Sequence, residues 1–398
     1  MTAAGPLDVE RAAAAVAPLL PPALVPLFDA RFTRSHALFD EYVYRLTVNV
    51  FVEAGLAAAV RDWAGAAEVV ARGGLDPRHG AVPVDWMLRH LARRGALARR
   101  SADGGPRFRA EGVLDPLETG SLVAQQRAHD AGCLPSYTLA ETVARDYPAF
   151  LRGERSGEEI LFSPARLSLW TGYFSNDNAL YAVNNRVGAA ALEAWLPAGR
   201  GSVLEIGGGL GSATAAALER LAEAGRSGAL QAYRFTELVP AFLRRAQRSL
   251  ERFAGAWPLT FAPLDMNRAF GEQGVDPASA TIVYAVNTLH VAHDLAFTLG
   301  EIRRALAPGG QLIVSECIRP TPEATLYPEF VFSLLATFRA PRLHAVYRPN
   351  GGFLTPEQWT AALEAAGFAD VRVLPDIARI RGTVPSFYVA VIGGTRAA

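Results

Sequence analysis

The chain has 398 residues, half of them hydrophobic, with Lys+Arg and Asp+Glu both at 39 and a formal net charge of zero. That length predicts two domains with real cores, and the balance of charge removes the electrostatic case for nucleic acid or an acidic membrane surface. Every basic side chain except histidine is arginine, the two cysteines (Cys133 and Cys317) are too few for a disulfide framework, and no run is apolar enough for a leader or a bilayer span, which predicts a soluble cytoplasmic protein.

Residues 1–30 are rich in Ala, Pro and Leu, and Pro21-Pro22 interrupts the run, so a helical start with a loose tip is expected. In residues 31–60, Phe39, Tyr42, Val43, Leu46 and Val50 recur at helical spacing. Such a helix needs either the domain core or a second subunit as partner. Residues 65–112 read as helix, helix, hairpin. The second helix is expected from Val84 to Leu97, ending near Gly95. Residues 96–100 and 107–110 flank the turn Asp103-Gly104-Gly105. This order resembles the winged-helix module at the front of many small-molecule O-methyltransferases, where it serves dimerisation, and the resemblance implies a homodimer. The same shape also binds DNA, and Arg89, Arg93, Arg94, Arg99 and Arg100 would suit that use. Zero net charge opposes it, and a solvated basic helix face is the plainer reading.

Residues 113–197 read as mostly helical. A dense series of aromatic and asparagine residues follows the turn at 153–157: Trp170, Tyr173, Phe174, Asn176, Asn178, Tyr181, Asn184 and Asn185. These either cover a ligand and line a substrate pocket or pack a core with polar caps. Residues 197–201 read as a hinge. It divides the chain into a helical, winged-helix-like dimerisation and substrate-capping domain, 1–197, and a second domain, 198–398.

From residue 202 strands alternate with helices. Strands are expected near 202–206, 231–236, 259–262, 280–286, 311–316, 370–374 and 386–392. Thr355-Pro356-Glu357-Gln358 is a helix start. The pattern predicts the α/β class, a seven-stranded, mainly parallel, Rossmann-like sheet covered on both faces. The last two strands are expected to enter the sheet edge as a hairpin with no helix between them.

The first of these strands ends in Glu205, followed by Gly207, Gly208, Gly209 and Gly211 and then an Ala-rich segment. This reads as buried strand, tight turn and helix N-terminus, a place that attracts electron-rich ligand groups. The spacing G-x-G-x-G departs from the dinucleotide fingerprint G-x-G-x-x-G. Glu205 would repel a pyrophosphate but accept from an ammonium group. A purely structural glycine turn is the other reading. Ligands of an open α/β sheet sit at the carboxyl ends of its strands. Those ends carry, in order, Glu205; Glu237 with Leu238 beside it; Asp265 with Met266; Asn287 and then His290; and Glu316. Glu237 suits a pair of ribose hydroxyls, Asp265 an adenine amino group, and Met266 the face of its ring.

Taken in strand order, these residues resemble the cofactor site of class I S-adenosylmethionine-dependent methyltransferases. The resemblance implies S-adenosyl-L-methionine as cofactor, held by Glu205, Gly207, Gly209, Gly211, Glu237, Leu238, Asp265, Met266 and Asn287. Residues 285–295 and 306–316, with 152–164, Tyr181, Asn184 and Asn185, are similar to the C-methyltransferase domains of polyketide synthases, over roughly the last two thirds of the chain. That similarity implies that His290 and Glu316 form a catalytic dyad that deprotonates the carbon between two carbonyls. A carboxylate that accepts from one imidazole nitrogen fixes the tautomer and leaves the other nitrogen as base. In O-methyltransferases with the winged-helix front a histidine also acts as base, on a phenol or hydroxyl. Both acceptor atoms therefore stay open, with carbon favoured slightly by Glu316.

His290, His293 and Asp294 have the donor types of a metal site, but a loop need not face both imidazoles into one pocket, and no metal is expected. Substrate candidates are Tyr173, Asn178, Tyr181, Phe330, Phe338, His344 and Tyr347. The last four lie between the fifth strand and the next helix. Their character points to a small natural-product-like acceptor, free or carrier-bound; the core of a dimer interface would use the same residue types. A different class of function is a winged-helix regulator that senses a nucleoside. A nicotinamide-dependent reductase is opposed by the missing third fingerprint glycine.

Overall fold

A computed structural model of the protein describes residues 9–397. The first eight residues of the expected helical start lie outside the described residues. The chain forms two compact units. One contains Ala30–Tyr173 and Glu323–Arg339; the other contains Ala14–Asp29, Phe174–Pro322 and Ala340–Ala398.

In the first unit the helix Ala30–Glu53 buries Phe39, Tyr42, Val43, Leu46 and Val50. Its partner within the unit is the helix Leu134–Leu151: the rings of Tyr42 and Tyr137 are 4.5 Å apart. The helices Ala66–Arg72 and Pro77–Arg93 follow, then strands β1 (Leu97–Ala102) and β2 (Gly105–Ala110), paired antiparallel around the expected turn. The second helix starts at Pro77, not Val84. The Asp76 carboxylate caps it by accepting from the Arg78 N–H at 2.7 Å, and Pro77 fills the first position, where no N–H is needed. Gly80 and Pro83 inside the helix disguise it in the sequence. It stops at Arg93, so Leu97 opens β1 instead of closing the helix.

The basic residues of this region are largely engaged by their own unit. Arg89 pairs with Asp85 at 2.7 Å, Arg93 and Arg94 pair with Asp40 at 3.5 and 2.7 Å, and Arg100 lies 4.4 Å over the Trp63 ring.

The second unit is built on a seven-stranded sheet of β3 (Gly201–Ile206), β4 (Leu230–Thr236), β5 (Leu259–Ala262), β6 (Ala280–Val286), β7 (Leu306–Cys317), β8 (Phe368–Leu374) and β9 (Val389–Arg396), in the order β5-β4-β3-β6-β7-β9-β8. The first five strands pair in parallel, and β9 runs antiparallel to both β7 and β8. β9 therefore lies inside the sheet, and β8 forms its edge. A short helix, Ile377–Ile380, stands where a direct hairpin was expected, capped by Asp376 accepting from the Arg379 N–H at 3.1 Å. Buried β-branched and leucine residues (Val203, Ile282, Val283, Leu312, Ile313, Val391 and Ile392) fill the central strands. Each contributes about 1.5–3 kcal/mol relative to exposure. The strand order reverses between β3 and β6, which is the topological switch point where ligands of such sheets bind.

The units do not divide at 197/198. The helix Ala179–Trp195 belongs with the sheet because its Gly188 lies so close to β6 and β7 that a Cβ there would stand 2.6 Å from the Tyr284 hydroxyl. Conversely, Glu323–Arg339 belongs with the helical unit. Within that unit the Trp86 indole N–H donates to Glu329 at 2.9 Å, Tyr147 and Ser333 share a hydrogen bond at 2.9 Å, and His90 Nδ1 meets the Thr325 hydroxyl at 3.0 Å. Among the described residues no helix is long and apolar enough to cross a membrane.

Candidate active site

The loop after β3 begins the site. Gly207, Gly209 and Gly211 all have positive φ, at 62°, 59° and 85°. Their surroundings differ. A Cβ on Gly207 would meet the Thr288 hydroxyl at 2.2 Å, and one on Gly208 would meet the Phe235 ring at 2.2 Å. A Cβ on Gly209 would meet nothing within 4 Å. Gly207 and Gly208 are thus fixed by packing, while Gly209 faces open space at the N-terminal end of the helix Ser212–Glu223.

Glu237, at the end of β4, holds this loop. Its Oε2 accepts from the Gly209 N–H at 2.9 Å and its Oε1 from the Val239 N–H at 2.8 Å. Burial raises its pKa above 4.5, against the amide bonds that lower it. Leu238, next to it, is 54% exposed, an apolar surface at the strand end. Asp265 takes the Asn267 N–H at 2.9 Å in a local turn, with Met266 half-buried beside it. Glu205 is buried. Its Oε2 accepts from the Thr214 hydroxyl at 2.6 Å and the Tyr233 hydroxyl at 2.8 Å. Burial pushes its pKa up to about 7, despite these bonds. The residue expected to accept from a ligand ammonium therefore also ties the helix after the loop to β4.

The Asn-rich segment reaches the same strand ends. Asn176 donates to the Ser212 carbonyl at 2.8 Å, and Asn185 donates to Asn176 at 2.8 Å. Asn184 donates to Asn287 Oδ1 at 3.0 Å and to Cys317 Sγ at 3.1 Å. Asn287 has φ of 49° and also accepts from the Cys317 N–H at 3.2 Å, so its side chain bridges the helix and β7. The side-chain oxygens of Asn184 and Asn185 are buried without a hydrogen-bond partner. A bare buried acceptor is costly, and a ligand donor would relieve it. With the open Gly209 and the exposed Leu238, these acceptors suit the hydrogen-bond donors of a nucleoside-amino acid ligand such as S-adenosylmethionine.

His290 lies just past β6 and Glu316 near the end of β7. The two strands are in register, with Val286 opposite Ser315. His290 Nδ1 meets Glu316 Oε2 at 2.7 Å, and the same carboxylate accepts from the backbone N–H of Thr288 at 3.1 Å and of His290 at 3.3 Å. Both side chains are buried, at 5% and 0% exposure. The Nδ1 contact leaves Nε2 as the ring nitrogen that Glu316 does not hold. The Phe353 ring stands 4.6 Å from the imidazole.

Other candidates divide between the units. In the helical unit Phe330 is fully buried between Trp86 and Tyr147, at ring distances of 6.0 and 5.0 Å, which is core packing. Phe338 is buried there too, and Tyr173 meets Trp170 edge-on at 5.9 Å. In the sheet unit Asn178 is buried, Tyr181 is half-buried against Phe174, and His344 is exposed with its ring stacked 3.7 Å from Tyr347. Asp294 caps the helix Leu295–Ala305 and pairs with Arg342 at 2.6 Å, and among the described residues no group of three or more His, Cys, Asp or Glu is placed to hold a metal ion. A groove of about 560 Å³ lined by Arg244, Arg248, Trp257 and Phe261 borders β5, not the strand ends. Sequence reasoning missed Thr214 and Tyr233, which bind Glu205, and Arg348, which donates to the carbonyls of His290 and Ala292. Only Thr214 carried a signal, since it lies in the helix that follows the glycines.

Residues 204–312 match the family model described as a methyltransferase domain. Polyketide synthase ThaG of Burkholderia thailandensis is 32% identical over 306 residues, 75% of this chain and 5% of that protein. The chain spans less than a tenth of the length of the curated relatives it matches. The crystal structure of CurJ carbon methyltransferase superposes with a TM-score of 0.77 at 23% identity, covering 99% of this chain and 100% of that one. The trans-methyltransferase CalH, solved with SAH, superposes with a TM-score of 0.61 at 20% identity, covering 90% of this chain and 92% of that one. Residues 204–312 thus form a methyltransferase domain by the sequence they match, and the fold of the chain is similar to that of the CurJ carbon methyltransferase.

Proposed function

We propose that the protein transfers a methyl group from S-adenosyl-L-methionine to an activated carbon of a small, polyketide-like acceptor, with His290 as general base. The observation that carries this reading is the buried contact of His290 Nδ1 with Glu316 at 2.7 Å, beside the glycine loop. The cofactor supplies an electrophilic methyl on a sulfonium. The loop at Gly209, with Glu237 beneath it, would hold the nucleoside, and the acceptors of Asn184 and Asn185 would take its donors. Glu316 keeps the Nδ1 proton in place, so Nε2 takes a proton from the carbon between two carbonyls. The electron pair left on that carbon displaces S-adenosylhomocysteine from the methyl, and the proton leaves through His290 to solvent. Positioning of two reactants by a buried, fixed base suits such an in-line transfer. The carrier-borne acceptors of large synthases make a thioester a fitting acceptor here, and we read the helical unit as substrate-capping and dimerising.

The test incubates the protein with methyl-labelled S-adenosylmethionine and a short β-ketoacyl thioester, with a catechol as comparison. Label on the carbon between the carbonyls supports the reading. Label on the catechol oxygen alone would replace it with O-methylation by the same base.

A further inference from the structure

Arg348 is 0% exposed, yet it makes no ion pair within 4.0 Å among the described residues. Its Nη2 donates to the backbone carbonyl of His290 at 2.5 Å and its Nη1 to that of Ala292 at 2.8 Å. Its Nε–H is buried without a partner. A buried cation loses several kcal/mol of hydration, and two neutral carbonyls offset that only in part. Burial pulls its pKa down to about 10, so it still carries its charge at neutral pH. The geometry gives this costly residue one address, the turn Leu289–Val291 that carries the base.

We propose that Arg348 is a positioning residue for His290, fixing the backbone of the base while Glu316 fixes its ring. This rests on the reading of His290 as the base. The two holds come from different parts of the sheet unit: Glu316 from β7, Arg348 from the segment before the helix Pro356–Ala365. The backbone of Arg348 is itself anchored, exchanging N–H to carbonyl bonds with His344 at 3.0 and 2.9 Å. Phe353 closes the imidazole from the same segment. The imidazole thus has its main chain, its Nδ1 and one face all set.

The experiment compares Arg348→Gln and Arg348→Lys with the unaltered protein and with His290→Ala. The readouts are kcat and KM of methyl transfer, affinity for S-adenosylhomocysteine and thermal midpoint. Gln removes the charge and the fork; Lys keeps the charge but cannot reach both carbonyls. Arg348→Gln is expected to lower kcat by about 10²-fold, the scale of a 1 Å misplacement, with KM and cofactor affinity unchanged. Arg348→Lys is expected to lower kcat similarly, because it cannot hold both carbonyls. Unaltered kcat in either variant overturns the proposal. So does a loss of kcat matched by an equal loss of cofactor affinity, which marks a merely structural residue. If Arg348→Gln does not fold, Arg348→Lys alone decides. Full activity of His290→Ala overturns the base itself and this proposal with it. An inactive His290→Ala beside an unaltered Arg348→Gln overturns only the role of Arg348.

Discussion

Glu237 Oε2 accepts the Gly209 N–H at 2.9 Å, so the open glycine of the loop is held by the end of the neighbouring strand. The neighbouring Gly208 is different, because its Cα faces the Phe235 ring. Gly209→Ala places a methyl in open space at a φ of 59°, which costs roughly 1–2 kcal/mol of fold stability. That methyl also stands where the ligand is proposed to lie. Affinity for S-adenosylhomocysteine is expected to fall about tenfold or more, about 1.4 kcal/mol. Gly208→Ala is expected instead to lower the thermal midpoint, because its methyl would meet Phe235 at 2.2 Å. Calorimetric titration and thermal melting of both variants separate the two effects.

His290→Ala and Glu316→Gln should each lower kcat while leaving cofactor affinity in place. Loss of a positioned base is worth about 10²–10⁴-fold. Glu316→Gln keeps the shape of the carboxylate but cannot hold Nδ1–H, Thr288 N–H and His290 N–H together as an anion does. Single-turnover methyl transfer, measured beside a titration with S-adenosylhomocysteine, checks both. Weakened binding in place of slowed transfer would move the pair from catalysis to cofactor support.

Glu205 makes stability depend on pH. Its pKa is raised from 4.5 to about 7, chiefly by burial. Between those values the folded protein keeps a proton that the unfolded chain has released. Stability therefore falls as pH rises from about 4.5 to about 7, and levels off above that. The full effect is about 3 kcal/mol. Glu205→Gln keeps an acceptor for Thr214 and Tyr233 and should flatten this slope, as read by denaturant midpoints across the range.

In the helical unit, Glu329 accepts from the Trp86 indole N–H at 2.9 Å and the Leu326 N–H at 2.8 Å. Glu329→Ala leaves both buried donors without that acceptor, at about 1–3 kcal/mol each. Glu329→Gln retains an oxygen and should lose less. Urea unfolding of the two variants tests this, and stability equal to that of the unaltered protein would mean that the Glu329 hydrogen bonds do not help hold the segment 323–339.

The sheet was legible because its strands are short apolar runs that end in punctuation. Each of the seven expected strands is present, and the ends carry the acids named from order alone. The His290–Glu316 contact followed from placing both at neighbouring strand ends, which the register of β6 and β7 permits. What was not legible depends on the third dimension. Gly80 and Pro83 hid the first half of a helix that a single cap at Asp76 starts. The position of β9 between β7 and β8 is a choice of pairing, not of local pattern. Trp86 and Glu329 lie far apart in sequence, so nothing local marks the segment 323–339 as part of the helical unit. Arg348 stood in an aromatic-rich stretch, one arginine among many, and only its burial beneath the His290 carbonyl sets it apart.

The central claim is that the glycine loop binds the methyl donor. The most direct test is calorimetric titration of the purified, metal-stripped protein with S-adenosylhomocysteine, with NADH as control and Gly209→Ala in parallel. The account predicts saturable micromolar binding of the first ligand, none of the second, and weakened binding in the variant. Absence of S-adenosylhomocysteine binding, with or without a β-ketoacyl thioester present, would contradict it.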